Sequence, residues 1–356
     1  MEKVIRILIA DDSRMARQFV RTILSESPGF EIVAEAVDME SIRNACQQFP
    51  IDVVLLDMNL LDCTGIEVIQ NVLAPVGLRS LILSAFTPEG SKEAIQALGA
   101  GAADVLQKPV LKSDADYVNF SKELTTKLRA VAGGQARNAT EARTSTDTQT
   151  GIAVWQDALA KMTSMDLITI GASTGGTEAI HRLLAQLPKN RNYPPILILQ
   201  HMPPVFTKAF AEFLSTKAPV PVCEAHEGQV IEPNRAYVAP GDYHLTLERD
   251  PKIQKVFVRL NQSERIHGVR PAVDYGFDSV ASLFPKRAMG IILTGMGRDG
   301  AEGLLKMRNQ GCLTIGQSES TCVVYGMPKA AREVNATHIE LDLEKIATAI
   351  TQVLGN

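Results

Sequence analysis

The chain has 356 residues, with 36 Lys or Arg against 40 Asp or Glu, which gives a formal net charge of −4 at pH 7. This length predicts about two domains of ordinary size. Hydrophobic residues make up 45% and charged residues 21% of the chain, a composition that excludes a mainly disordered or fibrous protein. The slightly acidic balance argues against a surface built as a whole to bind nucleic acid or anionic lipid.

The cysteines and the apolar runs indicate the compartment. The five cysteines are scattered and odd in number, and no two are spaced as Cys-x-x-Cys. This pattern predicts neither a disulfide framework nor a zinc site, and it is typical of a reducing compartment. The first apolar run is short and leads straight into Asp11 and Asp12, and no apolar run approaches the roughly 18 residues of a membrane span. We therefore expect a cytoplasmic protein without membrane insertion.

Short β-branched runs alternate with helical patterns along the chain, and each run predicts a strand. Early in the chain the runs are Val4–Ala10, Glu31–Ala36, Val53–Leu56, Leu81–Ser84 and Asp104–Leu106. Later they are Leu167–Ile170, Ile196–Gln200, Tyr237–Ala239, Val256–Leu260, Gly290–Thr294 and Leu313–Gly316. This alternation predicts an α/β fold class, with doubly wound, mostly parallel sheets covered by helices. Ligands of such sheets lie at the carboxyl ends of the strands.

A polar segment separates the two groups of strands. Residues 132–151 contain no Val, Ile, Leu, Met, Phe, Tyr, Trp or Cys, which predicts a flexible linker. Apolar residues then recur at helical spacing from Ile152 to Met162, which predicts a short amphipathic helix anchored by Trp155. The expected domains are residues 1–130, a linker with a short helix at residues 131–164, and residues 165–356.

Charged side chains follow three strand ends in the first half. Asp11 and Asp12 follow the first strand, Asp57 follows the third, Lys108 follows the last, and Ser84 ends the fourth. Carboxylates at one sheet edge repel one another unless a cation lies among them, and hard oxygen ligands suit Mg²⁺. A lysine and a hydroxyl opposite them suit phosphoryl oxygens. Singly, these residues fit a helix cap or a solvent-facing lysine, but together they favour a phosphate-accepting site.

This arrangement resembles the receiver domain of bacterial response regulators, over about residues 1 to 130. The resemblance implies a five-stranded flavodoxin-like fold that takes a phosphoryl group from a histidine kinase. It implies phosphorylation at Asp57, a Mg²⁺ site at Asp11, Asp12, Asp57 and the backbone carbonyl of Asn59, and phosphoryl contacts from Ser84 and Lys108. It also implies a cis Lys108–Pro109 peptide bond. Val105 stands where the family carries an aromatic residue, a departure that concerns signal output rather than phosphorylation.

A glycine-rich turn follows the first strand after the linker. The strand Leu167–Ile170 runs into Gly171-Ala172-Ser173-Thr174-Gly175-Gly176 and then into a helical segment. A serine between glycines at such a turn is presented above the sheet, beside a helix N-terminus whose N–H groups attract an anion. The turn alone fits either a serine nucleophile or a phosphate-binding loop, although it lacks the lysine of a P-loop.

A nucleophilic serine needs a base and a group that orients the base. All six histidines follow the linker, and His201 comes directly after the strand Ile196–Gln200. The strand Gly290–Thr294 leads into a glycine-rich turn that contains Asp299, which on its own predicts only a helix cap. With Ser173 and His201 at neighbouring strand ends, Asp299 is the natural partner of the imidazole. The order Ser, His, Asp differs from the Ser, Asp, His of α/β-hydrolases.

Together these segments resemble the chemotaxis receptor methylesterases of the CheB family, over nearly the whole chain. The resemblance rests on residues 171–177 (GASTGGT), 200–203 (QHMP), 239–242 (APGD), 270–274 (RPAVD) and 293–300 (LTGMGRDG). It implies that Ser173 is the nucleophile, His201 the general base and Asp299 the residue that orients the base. It further implies that the backbone N–H of Met296 helps to form an oxyanion hole, and that this half needs no metal.

The resemblance implies a protein-glutamate methylesterase that phosphorylation of Asp57 activates. Its substrates are glutamyl methyl esters and glutamines on chemoreceptor helices, and its phosphodonor is the chemotaxis histidine kinase. A nucleic acid partner is not expected, because the second half has no basic recognition-helix pattern. We also hypothesise that the unphosphorylated receiver blocks the Ser173 cleft. Two alternatives stay open: a serine esterase of small esters, and a phospho-regulated adaptor with an inactive hydrolase fold.

Overall fold

The computed structural model describes residues 4–85, 87–110, 112–133 and 147–355. The chain divides into two compact units, at residues 1–136 and 137–356. Across the described ranges, no helix is both long enough and apolar enough to cross a lipid bilayer.

The first unit is built on a five-stranded parallel sheet with the strand order β2–β1–β3–β4–β5. Its strands are β1 (Ile5–Ala10), β2 (Phe30–Ala36), β3 (Val53–Asp57), β4 (Arg79–Ser84) and β5 (Asp104–Gln107). Its helices are α1 (Arg14–Ser25), α2 (Met39–Gln48), α3 (Gly65–Val68), α4 (Pro88–Gly99) and α5 (Asp114–Gly133); a π turn (Ile69–Leu73) and a 3-10 turn (Ala74–Val76) follow α3. The strand order reverses between β1 and β3, so the loops after these strands flank the point where such sheets bind ligands.

Side-chain caps fix where the helices of the first unit begin. Ser13, Asp38, Thr64 and Thr87 precede α1, α2, α3 and α4, and each accepts a hydrogen bond from the N–H three residues further on. Such a cap satisfies one of the N–H groups that have no partner inside the helix. The loops that leave β1 and β3 are therefore short and have defined ends.

The second unit is built on a seven-stranded parallel sheet with the order β14–β13–β12–β6–β7–β9–β8, and an antiparallel hairpin pairs β10 with β11. Its strands are β6 (Leu167–Ala172), β7 (Ile196–Gln200), β8 (Val222–Glu224), β9 (Ala236–Val238), β10 (His244–Arg249), β11 (Val256–Asn261), β12 (Ala288–Ile292), β13 (Leu313–Gln317) and β14 (Ile339–Leu341). Its helices are α6 (Asp147–Ala160), α7 (Gly176–Gln186), α8 (Pro204–Ser215), α9 (Val273–Leu283), α10 (Ala301–Asn309), α11 (Met327–Glu333) and α12 (Leu343–Leu354), with a 3-10 turn at Glu319–Thr321.

The strands β12, β6 and β7 are adjacent in this sheet, and every residue in them is buried. Strands covered by helices on both faces need such uninterrupted apolar runs. Because the three strands are parallel, the loops that follow them emerge side by side at one edge of the sheet.

Each predicted strand is present, with ends that differ from the prediction by two residues at most; the largest shift is in β12, where Gly290–Thr294 was expected. The prediction missed β8, β10 and β14. Trp155 is buried and only 9% exposed, as its expected anchoring role requires, and all five cysteines are free.

The structure corrects two expectations, those for the linker and for the cis peptide bond, and part of the expected linker lies outside the described residues. Helices occupy both ends of the expected linker, since α5 runs to Gly133 and α6 begins at Asp147; residues 134–146 lie outside the described residues. The expectation of a cis Lys108–Pro109 bond is wrong, because the cis peptide bond among the described residues is Arg270–Pro271.

Candidate functional site

The first unit gathers acidic residues and a lysine at the carboxyl end of its sheet. Asp57 ends β3, and Asp11 and Asp12 follow β1. One carboxylate oxygen from each of these three residues lies within 4.8 Å of the other two. Lys108 Nζ lies 2.9 Å from Asp57 Oδ1 and 3.0 Å from Asp11 Oδ2. The structure therefore brings these four predicted residues together.

The cluster holds three carboxylates against one lysine, and burial and these charges shift the pKa values of its members. Burial raises the pKa of Asp57, the ion pair with Lys108 offsets part of that rise, and the Asp11 carboxylate raises it further. Burial alone would lower the pKa of Lys108, but its ion pairs with Asp57 and Asp11 outweigh burial, so the pKa is raised. Three carboxylates in so small a space fit a divalent cation with oxygen ligands.

The remaining predicted residues of the first unit lie nearby but make different contacts. The Ser84 hydroxyl donates to the backbone carbonyl of Gly90 in α4 over 2.8 Å, whereas the Ser84 carbonyl accepts from the Lys108 N–H over 2.7 Å. Asn59 pairs with Thr64 in an isolated bridge and so closes the loop after Asp57. The backbone of Ser84 is thus hydrogen-bonded to Lys108, whereas its hydroxyl is hydrogen-bonded to α4.

In the second unit, Ser173 directly follows β6 in a turn held by its neighbours. Its N–H donates to the carbonyl of Thr294 over 3.1 Å. Gly175 precedes α7 with φ +77°, a left-handed conformation that favours glycine. A Cβ added to Gly295 would lie 2.8 Å from Ser173 Cβ and 2.3 Å from Met327 Sδ. The segment after β12 therefore packs directly on Ser173, and position 295 leaves no room for a side chain.

His201 directly follows β7 and pairs with a buried acid. Ala172 and Gln200 are partners in the register of β6 and β7, so Ser173 and His201 leave the sheet side by side. His201 Nε2 lies 2.7 Å from Asp299 Oδ2. With Nε2 engaged by the carboxylate, Nδ1 is the ring nitrogen left for proton transfer.

Asp299 is held as a carboxylate by groups from elsewhere in the fold. It is 2% exposed, and it accepts hydrogen bonds from the N–H of Val273 (2.7 Å, to Oδ2) and of Asp274 (3.1 Å, to Oδ1). These N–H groups belong to the first turn of α9, where the helix dipole favours a negative charge. Burial alone would raise the pKa of Asp299, but its bonds to His201 and to the two N–H groups outweigh burial and lower it.

Met296 lies between Gly295 and Gly297, on the segment that packs against Ser173, and its residue surface is 43% exposed. Its N–H comes one residue after the close approach of Gly295 to Ser173. The three predicted strand ends and the Met296 segment thus meet at one edge of the second sheet.

Two further residues of this edge were missed by sequence reasoning as site residues. Gln200 donates from Nε2 to the carbonyl of Ser173 (3.0 Å) and to that of His201 (3.1 Å). Asp274, whose N–H binds Asp299, also accepts from the Gly303 N–H over 2.7 Å, and burial and the Asp299 charge raise its pKa. Both residues lie in motifs that carry the family resemblance, 200–203 and 270–274, but nothing local in the sequence indicated their contacts with Ser173, His201 and Asp299.

Comparisons with known proteins agree for both units. Residues 168–350 match the family model described as CheB methylesterase, and residues 7–116 match the response regulator receiver domain. The protein-glutamate methylesterase/protein-glutamine glutaminase of Bdellovibrio bacteriovorus is 39% identical, over 98% of this chain and 96% of that protein. A protein of the same name from Pseudomonas aeruginosa, numbered 2, is 37% identical, over 98% of this chain and 96% of that protein.

A solved structure agrees for the second unit. The crystal structure of the Thermotoga maritima CheB methylesterase catalytic domain superposes with a TM-score of 0.51 and 39% sequence identity, covering 53% of this chain and 99% of that domain. With relatives this similar over nearly their whole length, the chain belongs to the CheB methylesterase family and carries a response regulator receiver domain ahead of its methylesterase domain.

Proposed function

We propose that this chain is a protein-glutamate methylesterase and protein-glutamine glutaminase that phosphorylation activates. It hydrolyses glutamyl methyl esters on chemoreceptors, with release of methanol, and deamidates receptor glutamines. The observation that carries the proposal is the 2.7 Å pair between His201 and the buried Asp299, one strand end away from Ser173. The names of the relatives supply the substrate class.

In the proposed reaction, the Ser173 hydroxyl attacks the ester carbonyl and gives its proton to His201 Nδ1. The Asp299 carboxylate accepts from Nε2–H and stabilises the imidazolium that forms. Backbone N–H groups, that of Met296 and those at the start of α7, stabilise the oxyanion. Methanol leaves with the proton from His201, and water activated by the same nitrogen hydrolyses the acyl-enzyme. An amide substrate loses ammonia by the same steps.

In the receiver, Asp57 is the proposed phosphoryl acceptor. Asp11, Asp12, Asp57 and the Asn59 carbonyl would hold Mg²⁺, and the bound ion would supply positive charge beside an incoming phosphoryl group. Lys108 is already paired with Asp57, so it is placed to shift its ion pair to a phosphoryl oxygen. Ser84 has to release the Gly90 carbonyl before its hydroxyl reaches the phosphoryl group, which makes that residue a candidate for movement on activation.

The proposal includes the expected domain limits and partners. The receiver is residues 1–130, the linker with its helix residues 131–164, and the methylesterase domain residues 165–356. The proposed partners are the cytoplasmic helices of chemoreceptors and a chemotaxis histidine kinase. The proposed location is therefore the cytoplasm, where both partners present these surfaces.

Substrate preference tests this proposal against its alternatives. We expect the kcat/KM for methylated receptor membranes to exceed by far that for a small γ-methyl ester of glutamate, and Ser173→Ala to abolish both activities. Preference for the small ester would favour the small-molecule esterase instead. A folded chain without activity on either substrate would favour the adaptor.

A further inference from the structure

One buried amide joins the two strand ends of the hydrolase site. Gln200 is the last residue of β7 and is 2% exposed. Its Nε2 donates to the backbone carbonyls of Ser173, over 3.0 Å, and of His201, over 3.1 Å. Both hydrogens of this amide group are therefore used on the residues that carry the proposed reaction.

The other end of the same side chain lacks a hydrogen bond. Gln200 Oε1 is buried and has no hydrogen-bond partner among the described residues. It packs against the first residue of α7, since a Cβ added to Gly176 would lie 2.2 Å from Oε1. An unpaired buried acceptor destabilises a fold, and such a group in a native structure calls for a reason.

We propose that Gln200 is a positioning residue, whose amide fixes the separation and orientation of Ser173 and His201 at the expense of an unpaired oxygen. The inference rests on the proposed function in one respect, namely that these two residues carry the reaction. Gly176 belongs to the same arrangement, because a Cβ there would lie 2.2 Å from Oε1, which would have to move together with Nε2, and also 2.6 Å from Ala172 Cβ.

The neighbouring bonds show why the amide matters. The Ser173 carbonyl also accepts from the Gly176 N–H over 2.7 Å, so the turn itself persists when Gln200 is changed. What is lost is the link across to the His201 carbonyl. A displacement of about 1 Å between reacting groups lowers a rate by roughly 100-fold.

The first test replaces Gln200 with methionine, which has a similar length but no donor. We expect Gln200→Met to lower kcat on methylated receptor membranes about 10- to 100-fold with KM unchanged. The rate at which a small sulfonyl fluoride modifies Ser173 is expected to fall as well, a readout that needs no receptor. Stability is expected to change little, because the variant removes one unpaired acceptor, Oε1, and leaves another, the His201 carbonyl, without the Nε2 donor. A purely structural role predicts the opposite: lost stability with unchanged kcat per folded molecule.

The matched control is Tyr193→Phe. Tyr193 is 2% exposed, precedes the other end of β7, and donates from its hydroxyl to the Pro188 carbonyl over 2.6 Å. This variant also removes a buried side-chain bond to the backbone, and we expect its kcat to stay at the wild-type value.

Gly176→Ala provides an independent test and decides the matter if Gln200→Met does not fold. We expect it to lower kcat and the Ser173 modification rate as Gln200→Met does, with Gln200 still present. Wild-type kcat in either folded variant would overturn the proposal, as would a loss matched by Tyr193→Phe. Failure of the proposed function is distinguishable, because either the wild type would then show no activity or Ser173→Ala would retain the wild-type activity.

Discussion

The most informative single substitution is Asp299→Asn, because the structure specifies which oxygen becomes a nitrogen. Oδ2 accepts from His201 Nε2 and the Val273 N–H, both at 2.7 Å, whereas Oδ1 accepts from the Asp274 N–H at 3.1 Å. An amide nitrogen at the Oδ2 position would face the Val273 N–H and invert the imidazole tautomer. We therefore expect the amide nitrogen to take the Oδ1 position. The longer hydrogen bond, from the Asp274 N–H, is then lost, and His201 Nε2–H still donates to an oxygen.

The magnitude follows from that orientation. The tautomer survives, but the hydrogen bond to the imidazolium loses its charged acceptor, and bonds to charged groups contribute about 1.5–3 kcal/mol. The expected loss in kcat is roughly 10- to 100-fold. An inverted tautomer predicts a far larger loss, about 10⁴-fold in serine proteases.

Methanol release from methylated receptor membranes measures this loss. The control is Asp278→Asn, which changes an acid on α9 that is half exposed and paired with Lys306 at 2.8 Å, and which we expect to leave kcat unaltered. Full activity in Asp299→Asn would refute the role of its charge. A loss near 10⁴-fold would refute the predicted orientation.

Three other predictions concern packing, acid stability and the cation site. Gly295→Ala places a methyl group 2.3 Å from Met327 Sδ and 2.8 Å from Ser173 Cβ, so we expect about 1–3 kcal/mol lower stability in urea unfolding and a lower kcat; wild-type values for both would contradict this packing. Burial, and secondarily the Arg308 charge, lowers the pKa of His338 to about 4, against about 6.5 when unfolded. Between these two pH values the unfolded chain binds one more proton than the folded chain, so the free energy of unfolding decreases as the pH is lowered from about 6.5 to about 4, by at most about 3 kcal/mol. We expect His338→Gln to show a smaller decrease when unfolding is measured at pH 7 and at pH 4.5. Lys108→Met removes the cation paired with Asp11 and Asp57, so calorimetric titration should show Mg²⁺ affinity rising by about tenfold or more; unchanged affinity would mean that Mg²⁺ binds elsewhere.

The strands and their order along the chain were predictable because buried parallel strands need continuous apolar runs, and such runs are visible locally. Asp57, Ser173 and His201 could then be predicted as site residues, because each lies just after a predicted strand. The strands that escaped prediction are three residues long, as β8 and β14 are, or alternate polar and apolar residues in a hairpin, as β10 does.

Contacts between distant segments were not predictable from local pattern. Asp299 precedes α10, and sequence alone predicted a cap for the helix that follows it; the structure instead places its carboxylate at the N-terminus of α9, where Val273 and Asp274 donate to it. The two bonds of Gln200 exist only because β6 and β7 pair in register. The engagement of the Ser84 hydroxyl on α4 depends likewise on tertiary packing.

The central claim is that Asp57 phosphorylation controls an esterase centred on Ser173. Its most direct test is methanol release from methylated receptor membranes by the full chain, with and without a small phosphodonor and Mg²⁺, for wild type, Ser173→Ala and Asp57→Asn. We predict release that rises with phosphodonor in the wild type, stays at its basal rate in Asp57→Asn and disappears in Ser173→Ala. Release that persists in Ser173→Ala, or that rises equally in Asp57→Asn, would contradict the account.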